Sequence, residues 1–247
     1  MKKAQVALAA ISLLVLTLLT TGAARADSWS AGALTTYDQA EWGDPTTAAG
    51  SLLGTYYGTV YASTGDVFQI GNASTGFFAE FTGESHLDDF LPASGAVGPL
   101  NNDSANPTTT SAGIFAGEVA GLKLNIDFSA AGLLPGTSGL HFGDLVLTGM
   151  TGAYSGLNGV TVSQFLSLTG QALGGANTGF TITDLDIELV GFNNAFDDGQ
   201  PDSFAQDHLV APGSSAAMPE PPTLLLAAVG VLAAAIFRMK RALGRRA

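Results

Sequence analysis

The sequence predicts a mainly β domain of the α+β class. Its strands are antiparallel, a helix pair lies near its C-terminal side, and an N-terminal signal helix and a C-terminal transmembrane helix flank it. Three observations predict this fold. Short aromatic and β-branched runs are broken by glycine in the first half, the apolar period becomes helical after residue 157, and an uncharged apolar segment lies near each end.

Residues 1–26 have the pattern of a secretory signal peptide. Lys2 and Lys3 precede an apolar run, and Ala24 and Ala26 supply the small residues that signal peptidase accepts before its cleavage point. We therefore expect cleavage after Ala26. The alternative is an uncleaved helix, which would give the chain two membrane spans.

The body comprises residues 27–208 and a linker at 209–217, and it is strongly acidic. Of the 21 acidic residues only Glu220 lies outside it, and of the 9 basic residues only Lys123 lies inside, which leaves a net charge of −19. Such a field repels phosphate groups, so a nucleic-acid partner is excluded. The chain has no cysteine, so burial alone must stabilise the body and thiolate metal sites are excluded.

The first half of the body predicts antiparallel strands separated by turns. Residues 52–61 form a candidate strand pair, 67–70 a further strand and 76–81 another, and glycines lie between them. Residues 85–91 predict two helical turns, and the segment 91–111, rich in Pro, Asn and Thr, predicts a loop.

Residues 117–128 carry the clearest strand pattern of the chain, and residues 141–147 predict one more strand. In the first segment apolar and polar residues alternate, as on a half-buried strand. Leu122, Leu124, Ile126 and Phe128 fall on one face, with Lys123, Asn125 and Asp127 on the other.

Two helices follow, near residues 161–173 and 182–196. Thr161 is a candidate N-cap for the first, and Gly174 ends it. Thr181 with Asp184 is typical of a capping box at the start of the second helix. The apolar residues of this second helix recur at spacings of three and four; they are Ile182, Leu185, Leu189, Phe192 and Phe196.

Carboxylates are the remaining candidates for chemistry or metal binding. The three histidines, His86, His141 and His208, are too widely spaced to indicate a ligand pair. Clusters of acids could serve as glycosidase acids or as calcium ligands. They are Asp88 with Asp89, Asp184 with Asp186 and Glu188, and Asp197 with Asp198, Asp202 and Asp207.

The two acidic clusters near the end of the body have different interpretations. The acids at 184–188 lie in an amphipathic helix, so we expect them on its solvated face. Asp197, Asp198 and Asp202 lie on a glycine-containing loop, which makes them the better candidates for weak Ca²⁺ binding. The alternative is an ordinary acidic loop.

Residues 218–247 combine three zones in a fixed order. Pro219, Glu220 and Pro221 belong to a stiff spacer, and the uncharged segment 224–237 predicts a transmembrane helix. At about 21 Å it is short for a hydrocarbon core of about 30 Å. A basic end follows, which should stay in the cytoplasm; it contains Arg238, Lys240, Arg241, Arg245 and Arg246.

This tail resembles the PEP-CTERM sorting signal of exosortase-processed bacterial surface proteins. Pro219, Glu220 and Pro221 match the motif, 224–237 its helix, and the arginine-rich terminus its basic end. The resemblance implies that a membrane-embedded exosortase removes the tail and that the body joins the cell surface or an exopolysaccharide matrix. The plain alternative is a permanent single-pass anchor.

Residues 122–128, 141–147 and 157–162 resemble a module of uncharacterised exported bacterial proteins, which implies no particular activity. The sequence therefore predicts a non-enzymatic, structural or adhesive protein without a cofactor. Its precursor would lie in the inner membrane with the body outside the cytoplasm, and signal peptidase and exosortase would be its partners during export. The alternatives are a secreted carbohydrate-active enzyme that uses the clustered carboxylates and a permanently anchored periplasmic binding protein.

Overall fold

The body is mainly helical, and the prediction of a mainly β fold is wrong. The computed structural model describes residues 28–214, of which 45% are helical and 10% are in strands. The predicted signal peptide with Ala24 and Ala26 lies outside the described residues. So do the sorting motif, the predicted transmembrane helix at 224–237 and the basic end.

Seven α-helices lie within residues 28–214. They are α1 (Gln39–Trp42), α2 (Ala48–Val60), α3 (Glu84–Phe90), α4 (Ile114–Ala130), α5 (Val162–Leu173), α6 (Ile182–Asn194) and α7 (Ser203–His208). Three 3₁₀ turns add to them, at Ala62–Thr64, Phe142–Asp144 and Gly152–Leu157. None of the helices between residues 28 and 214 is long and apolar enough to cross a membrane.

The strands form two small sheets. In the first, β1 (Val67–Gly71) pairs antiparallel with β2 (Phe78–Thr82), which pairs parallel with β3 (Ser104–Ala105) inside the predicted loop. In the second, β4 (Val146–Leu147) pairs antiparallel with β5 (Leu209–Val210). Both residues of β5 are buried, although the sequence predicts a linker from residue 209 onwards.

Helix α4 occupies the segment with the clearest strand pattern. It packs against α1, α5, α6 and β1, and thirteen of its seventeen residues are buried. Residues two apart in a helix lie about 200° apart, so Leu122 and Leu124 point to opposite sides and are both fully buried. The alternation therefore arises in a helix that is covered all round, and the strand prediction at 117–128 is wrong.

Helix α2 replaces the strand pair predicted at 52–61. Thr47 caps it, since its hydroxyl accepts a hydrogen bond of 3.0 Å from the Gly50 amide. Ala49, Leu53 and Tyr57 recur every four residues and are buried. Tyrosine, threonine and valine favour strands by propensity, but here burial of one helical face outweighs that preference.

The helix pair on the C-terminal side lies where the apolar periodicity places it. Thr161 caps α5 in a reciprocal capping box with Gln164. At the start of α6 the Thr181 hydroxyl accepts a hydrogen bond from the Asp184 amide and lies 2.6 Å from the Asp184 carboxylate. Only Val146–Leu147 of the strand predicted at 141–147 forms, because Phe142–Asp144 is a 3₁₀ turn.

One aromatic core joins these elements. The rings of Phe165 on α5 and Phe192 on α6 lie 4.7 Å apart, and those of Trp42 and Phe128 lie 5.0 Å apart. Large apolar side chains supply most of the stabilisation in a body that has no cysteine. The fully buried aromatic residues are Trp42, Phe68, Phe81, Phe90, Phe115, Phe128, Phe142, Phe165, Phe192 and Phe196.

Candidate functional site

The structure brings together two of the predicted cation ligands and one residue from the other end of the body. Glu41, Asp197 and Asp198 form a group, the carboxylate cluster, in which one oxygen of each residue lies within 4.8 Å of the others. Asp197 and Asp198 are exposed and Glu41 is half-buried.

Glu41 owes its position to the cap of α1. The Asp38 side chain accepts a hydrogen bond of 2.8 Å from the Glu41 amide, and the Asp38 amide donates one of 3.0 Å to Glu41 Oε2. This capping box fixes the short helix and holds the Glu41 side chain at its beginning. The pattern Asp-x-x-Glu before a tryptophan is visible in the sequence and would have indicated a helix start.

Asp197 and Asp198 follow α6 on a tight loop tied to the N-terminal segment of the body. The Thr36 amide donates to the Phe196 carbonyl, and the Phe196 amide donates to the Thr36 hydroxyl, both at 3.0 Å. The Gly32 amide donates to the Gly199 carbonyl at 2.7 Å. These contacts hold the loop beside α1.

The cluster concentrates negative charge, and no basic group of the described residues acts on the pKa of Glu41 or Asp197. Burial raises the pKa of Glu41 above its usual range, and nearby Asp197, Asp38 and Asp198 raise it further, against a hydrogen bond from the Asp38 backbone. Burial likewise raises the pKa of Asp197, with Asp198 next in effect. Glu41 and Asp197 therefore hold protons more tightly than isolated carboxylates, and a group of this kind can also attract a hard cation.

The third predicted cation ligand, Asp202, is not part of the cluster. Its side chain caps α7 by accepting a hydrogen bond of 2.8 Å from the Ala205 amide. A carboxylate at a helix N-cap is stabilised by unpaired backbone amides, which explains its presence without a metal. Calcium takes six to eight oxygen ligands. Exposed acidic groups are common without an ion, so the cluster by itself does not define a cation site.

A buried polar group lies behind the cluster and positions α1. This amide network consists of Gln39, Glu118, Asn125 and Asn193. Gln39 Nε2 donates to Glu118 Oε1 at 2.7 Å, and Asn193 Nδ2 donates to Glu118 Oε2 at 2.8 Å. A Cβ at Gly117 would overlap the Gln39 side chain, so the glycine makes room for this contact.

Asn125 is the centre of the amide network. Its Oδ1 accepts hydrogen bonds from the Tyr37 amide at 2.9 Å and from Trp42 Nε1 at 3.2 Å. Its Nδ2 donates to the Tyr37 carbonyl at 2.8 Å and to Asn193 Oδ1 at 3.2 Å. Because the network joins α1 to α4 and α6, it sets the distance between Glu41 and the loop after α6. Burial raises the pKa of Glu118, although Asn193 and Gln39 donate to it.

The acids of α6 depart from the expected solvated face. Asp184 is half-buried, and hydrogen bonds from Thr181 and Tyr154 hold its pKa below the usual range despite some burial. Glu188, by contrast, is only 6% exposed, and its Oε2 has no hydrogen-bond partner in the part of the chain that the structure describes. Asp186 Oδ1 also lacks a hydrogen-bond partner within this part of the chain. The expectation that these acids form a solvated face is therefore wrong for Glu188.

Asp88 on α3 is half-buried, and its Oδ1 has no hydrogen-bond partner between residues 28 and 214. Burial, and then the neighbouring charges of Glu84 and Asp89, raise its pKa to about 6.

Two histidine rings contact backbone carbonyls through Nδ1: His141 meets Ser129 O and His208 meets Thr148 O, each at 3.1 Å. These contacts give both histidines a structural role.

Two small cavities lie in the described body, and none of the three cluster residues lines either of them. One, of about 170 Å³, lies beside His141 and Pro135. The other, of about 250 Å³, lies between β1 and α5, and Lys123 lines it. The Lys123 ammonium is 2.8 Å from Asp127, so the single cation of the body is already paired. Neither cavity has a carboxylate in its lining.

Comparison of the chain with family models, with curated proteins and with solved structures finds no match in any of the three.

Proposed function

We propose that this chain is an exported bacterial surface or matrix protein whose precursor is sorted by its C-terminal tail and processed by an exosortase. The order of zones in residues 218–247 carries the proposal: a Pro-Glu-Pro motif, an uncharged apolar segment and an arginine-rich end. The signal-peptide pattern at the other end supports export of the body between them. The precursor lies in the inner membrane, and the mature body reaches the cell surface or the extracellular matrix.

The composition of the body supports a structural or adhesive role. With 20 of the chain's 21 acidic residues and a single lysine, the body has a charge that favours solubility and tolerates a hydrated matrix. Several of its acids have local structural roles. Asp202 caps α7, Asp38 caps α1, and Glu118 binds two amide side chains within the core.

Replacement of the motif tests the sorting role. The triple change Pro219→Ala, Glu220→Gln and Pro221→Ala is expected to block tail removal, because the processing enzyme reads this tripeptide while the apolar segment and basic end remain unchanged. The precursor should then accumulate in the inner membrane at its unprocessed mass. Fractionation of the native host followed by intact-mass measurement gives the readout.

The matched control is Pro222→Ala, one residue beyond the motif in the same spacer. This variant is expected to be processed and released like the unaltered chain. Equal processing of the triple variant and the control would contradict the sorting proposal. Recovery of the unaltered chain from the inner membrane with its tail intact would favour a permanently anchored binding protein.

The carboxylate cluster favours one second candidate, a secreted carbohydrate-active enzyme. Retaining glycosidases place two carboxyl groups about 5 Å apart, and oxygens of Glu41 and Asp197 lie within 4.8 Å of each other. Assays on polysaccharides with Glu41→Gln and Asp197→Asn variants separate the two candidates. Turnover that is lost in one of these variants and retained in Asp202→Asn would favour the enzyme.

A further inference from the structure

Glu188 stands in an unusual position on α6. It lies between Leu185 and Phe192 on the buried stripe of the helix and is 6% exposed. On the same helix Ile187 is 58% exposed and Val190 is 41% exposed. The helix therefore buries an acid while it leaves two large apolar side chains in solvent, the reverse of an ordinary amphipathic arrangement.

The surroundings of Glu188 compensate a negative charge only in part. Its Oε2 is buried and has no hydrogen-bond partner among the described residues. Asp184, one turn earlier on α6, adds a like charge. An ionised carboxylate in such a place lacks the solvation that it has in water, whereas a neutral carboxylic acid loses much less.

Two other elements face this side of α6. His208 on α7 is the basic group that acts on Glu188, and its ring nitrogen Nδ1 is engaged with the Thr148 carbonyl. Tyr154, in the 3₁₀ turn at Gly152–Leu157, has its hydroxyl 3.1 Å from Asp184 and also lies within the field of Glu188. The contacts of Tyr154 and His208 are therefore directed to Asp184 and Thr148, and no group within residues 28–214 forms a hydrogen bond with Glu188 Oε2.

We propose that the buried carboxyl of Glu188 is a proton-binding site that links the folding of the body to acidification. On folding, Glu188 takes up one proton from solvent, and it releases that proton when α6 separates from α7 and the carboxyl meets water. The contribution of Glu188 to the stability of the body is then greatest at acidic pH and falls as the pH rises, the opposite of the contribution of a carboxylate that is ion-paired in the folded state.

The direction of this pH dependence follows from the number of protons that the folded and the unfolded chain bind. Burial raises the pKa of folded Glu188 above its ordinary value of 4.5, and Asp184 adds to this against the opposing effect of His208. Below 4.5 both the folded and the unfolded chain carry the proton, so the stability is fully present. Above that pH the unfolded chain loses the proton first. The contribution of Glu188 to stability then declines as the pH rises through the pKa of Glu188 in the folded chain.

The test uses the full-length chain and measures urea unfolding between about pH 4 and about pH 8. Tryptophan fluorescence reports the body, because both tryptophans of the chain, Trp29 and Trp42, lie in it and Trp42 is fully buried. Glu188→Gln and Glu188→Met remove the proton site. Both are expected to flatten the decline in stability, and at about pH 8 Glu188→Met should lower the unfolding equilibrium constant about tenfold.

Asp144→Asn is the matched control. Asp144 is exposed on the 3₁₀ turn at Phe142–Asp144, and its loss changes the net charge by the same one unit. This variant should show the same decline in stability with rising pH as the wild-type chain. The comparison therefore distinguishes a general reduction of negative charge from protonation of Glu188. The other carboxyl groups with raised pKa values contribute a pH dependence that is common to all variants; they include Glu41, Asp88, Glu118, Asp186 and Asp197.

A second measurement covers the case in which a substitution prevents folding. Difference infrared spectra of the wild-type chain, recorded between mildly acidic and neutral pH, should show the carbonyl stretch of a buried carboxylic acid. Glutamates labelled with ¹³C shift that band and assign it to a glutamate. The proposal would be overturned if both Glu188 variants lost stability with rising pH as steeply as the wild-type chain. It would also be overturned if the folded wild-type chain showed no band of a protonated glutamate.

Discussion

Replacement of Asn125 by alanine is expected to destabilise the body by about 3–5 kcal/mol. Asn125 is fully buried, and its side chain makes four hydrogen bonds. Its loss leaves the Tyr37 amide and carbonyl and the Trp42 indole nitrogen without their partner in the interior. Each unsatisfied buried group costs about 1–3 kcal/mol, and partial relaxation lowers the sum. Urea unfolding followed by tryptophan fluorescence measures the change.

Asn101→Ala is the control for this substitution. Asn101 is exposed in the segment between α3 and α4, so the same chemical change should alter the free energy of unfolding by less than about 0.5 kcal/mol. Asn125→Ala should also move Glu41 away from Asp197, because the amide network holds α1 against α4 and α6. A loss of less than about 1 kcal/mol for Asn125→Ala would show that the network does not stabilise the body as the hydrogen bonds indicate.

Two glycines of α2 should respond with opposite signs to the same change. In Gly50→Ala the new Cβ would overlap the Asp44 carbonyl group and meet Pro45 Cα. Backbone atoms cannot move aside as a flexible side chain can, so we expect a loss of about 2 kcal/mol or more. The Gly50 amide also donates to the Thr47 cap, and displacement of that turn weakens the helix start.

Gly54→Ala lies one turn further along α2 and is exposed, with no atom within 4 Å of the new Cβ. Alanine has a higher helix propensity than glycine, so this variant should gain about 0.5–1 kcal/mol. Chemical unfolding of the two variants side by side gives the comparison. A strand pair at residues 52–61 would not gain stability from Gly54→Ala, so equal losses in both variants would contradict the helix.

The sequence predicts a helix correctly where one face is apolar and the ends carry caps. Helix α5 has both signals, with Thr161 and Gln164 at its start and a stripe that includes Phe165 and Leu173. Helix α4 lacks both, since Gly113 precedes it without a side-chain cap and apolar residues cover every face. Periodicity carries no information about a helix that is buried all round, so the alternation at 122–128 indicated a strand by coincidence.

The sequence of helix α2 contains a helical signal, which the strand propensity of its residues outweighed in the prediction. Ala49, Leu53 and Tyr57 recur at a spacing of four, and Thr47 stands before them as a cap. The neighbouring tyrosines and Val60 favour strands by propensity, which is a weak preference that tertiary packing overrides. A count of the four-residue spacing would have identified the helix.

The candidate site could be predicted only in part. Asp197 and Asp198 stand out because oxygen-bearing side chains and Gly199 cluster in a short loop. Glu41 joins them through contacts that connect residues far apart in the chain, from the Thr36 pairing with Phe196 to the amide network. No local pattern contains that information. The burial of Glu188 is equally unpredictable from the sequence, because an acidic residue at that position of α6 is expected to be exposed to solvent.

The intact mass of the protein released from the native matrix tests removal of the tail most directly. We predict a mature species that begins at Asp27 and lacks the apolar segment 224–237 and the basic end. In a host from which the exosortase gene has been deleted, the species that lacks only residues 1–26 should accumulate instead. A released mature protein that still carries residues 224–237 would contradict the account.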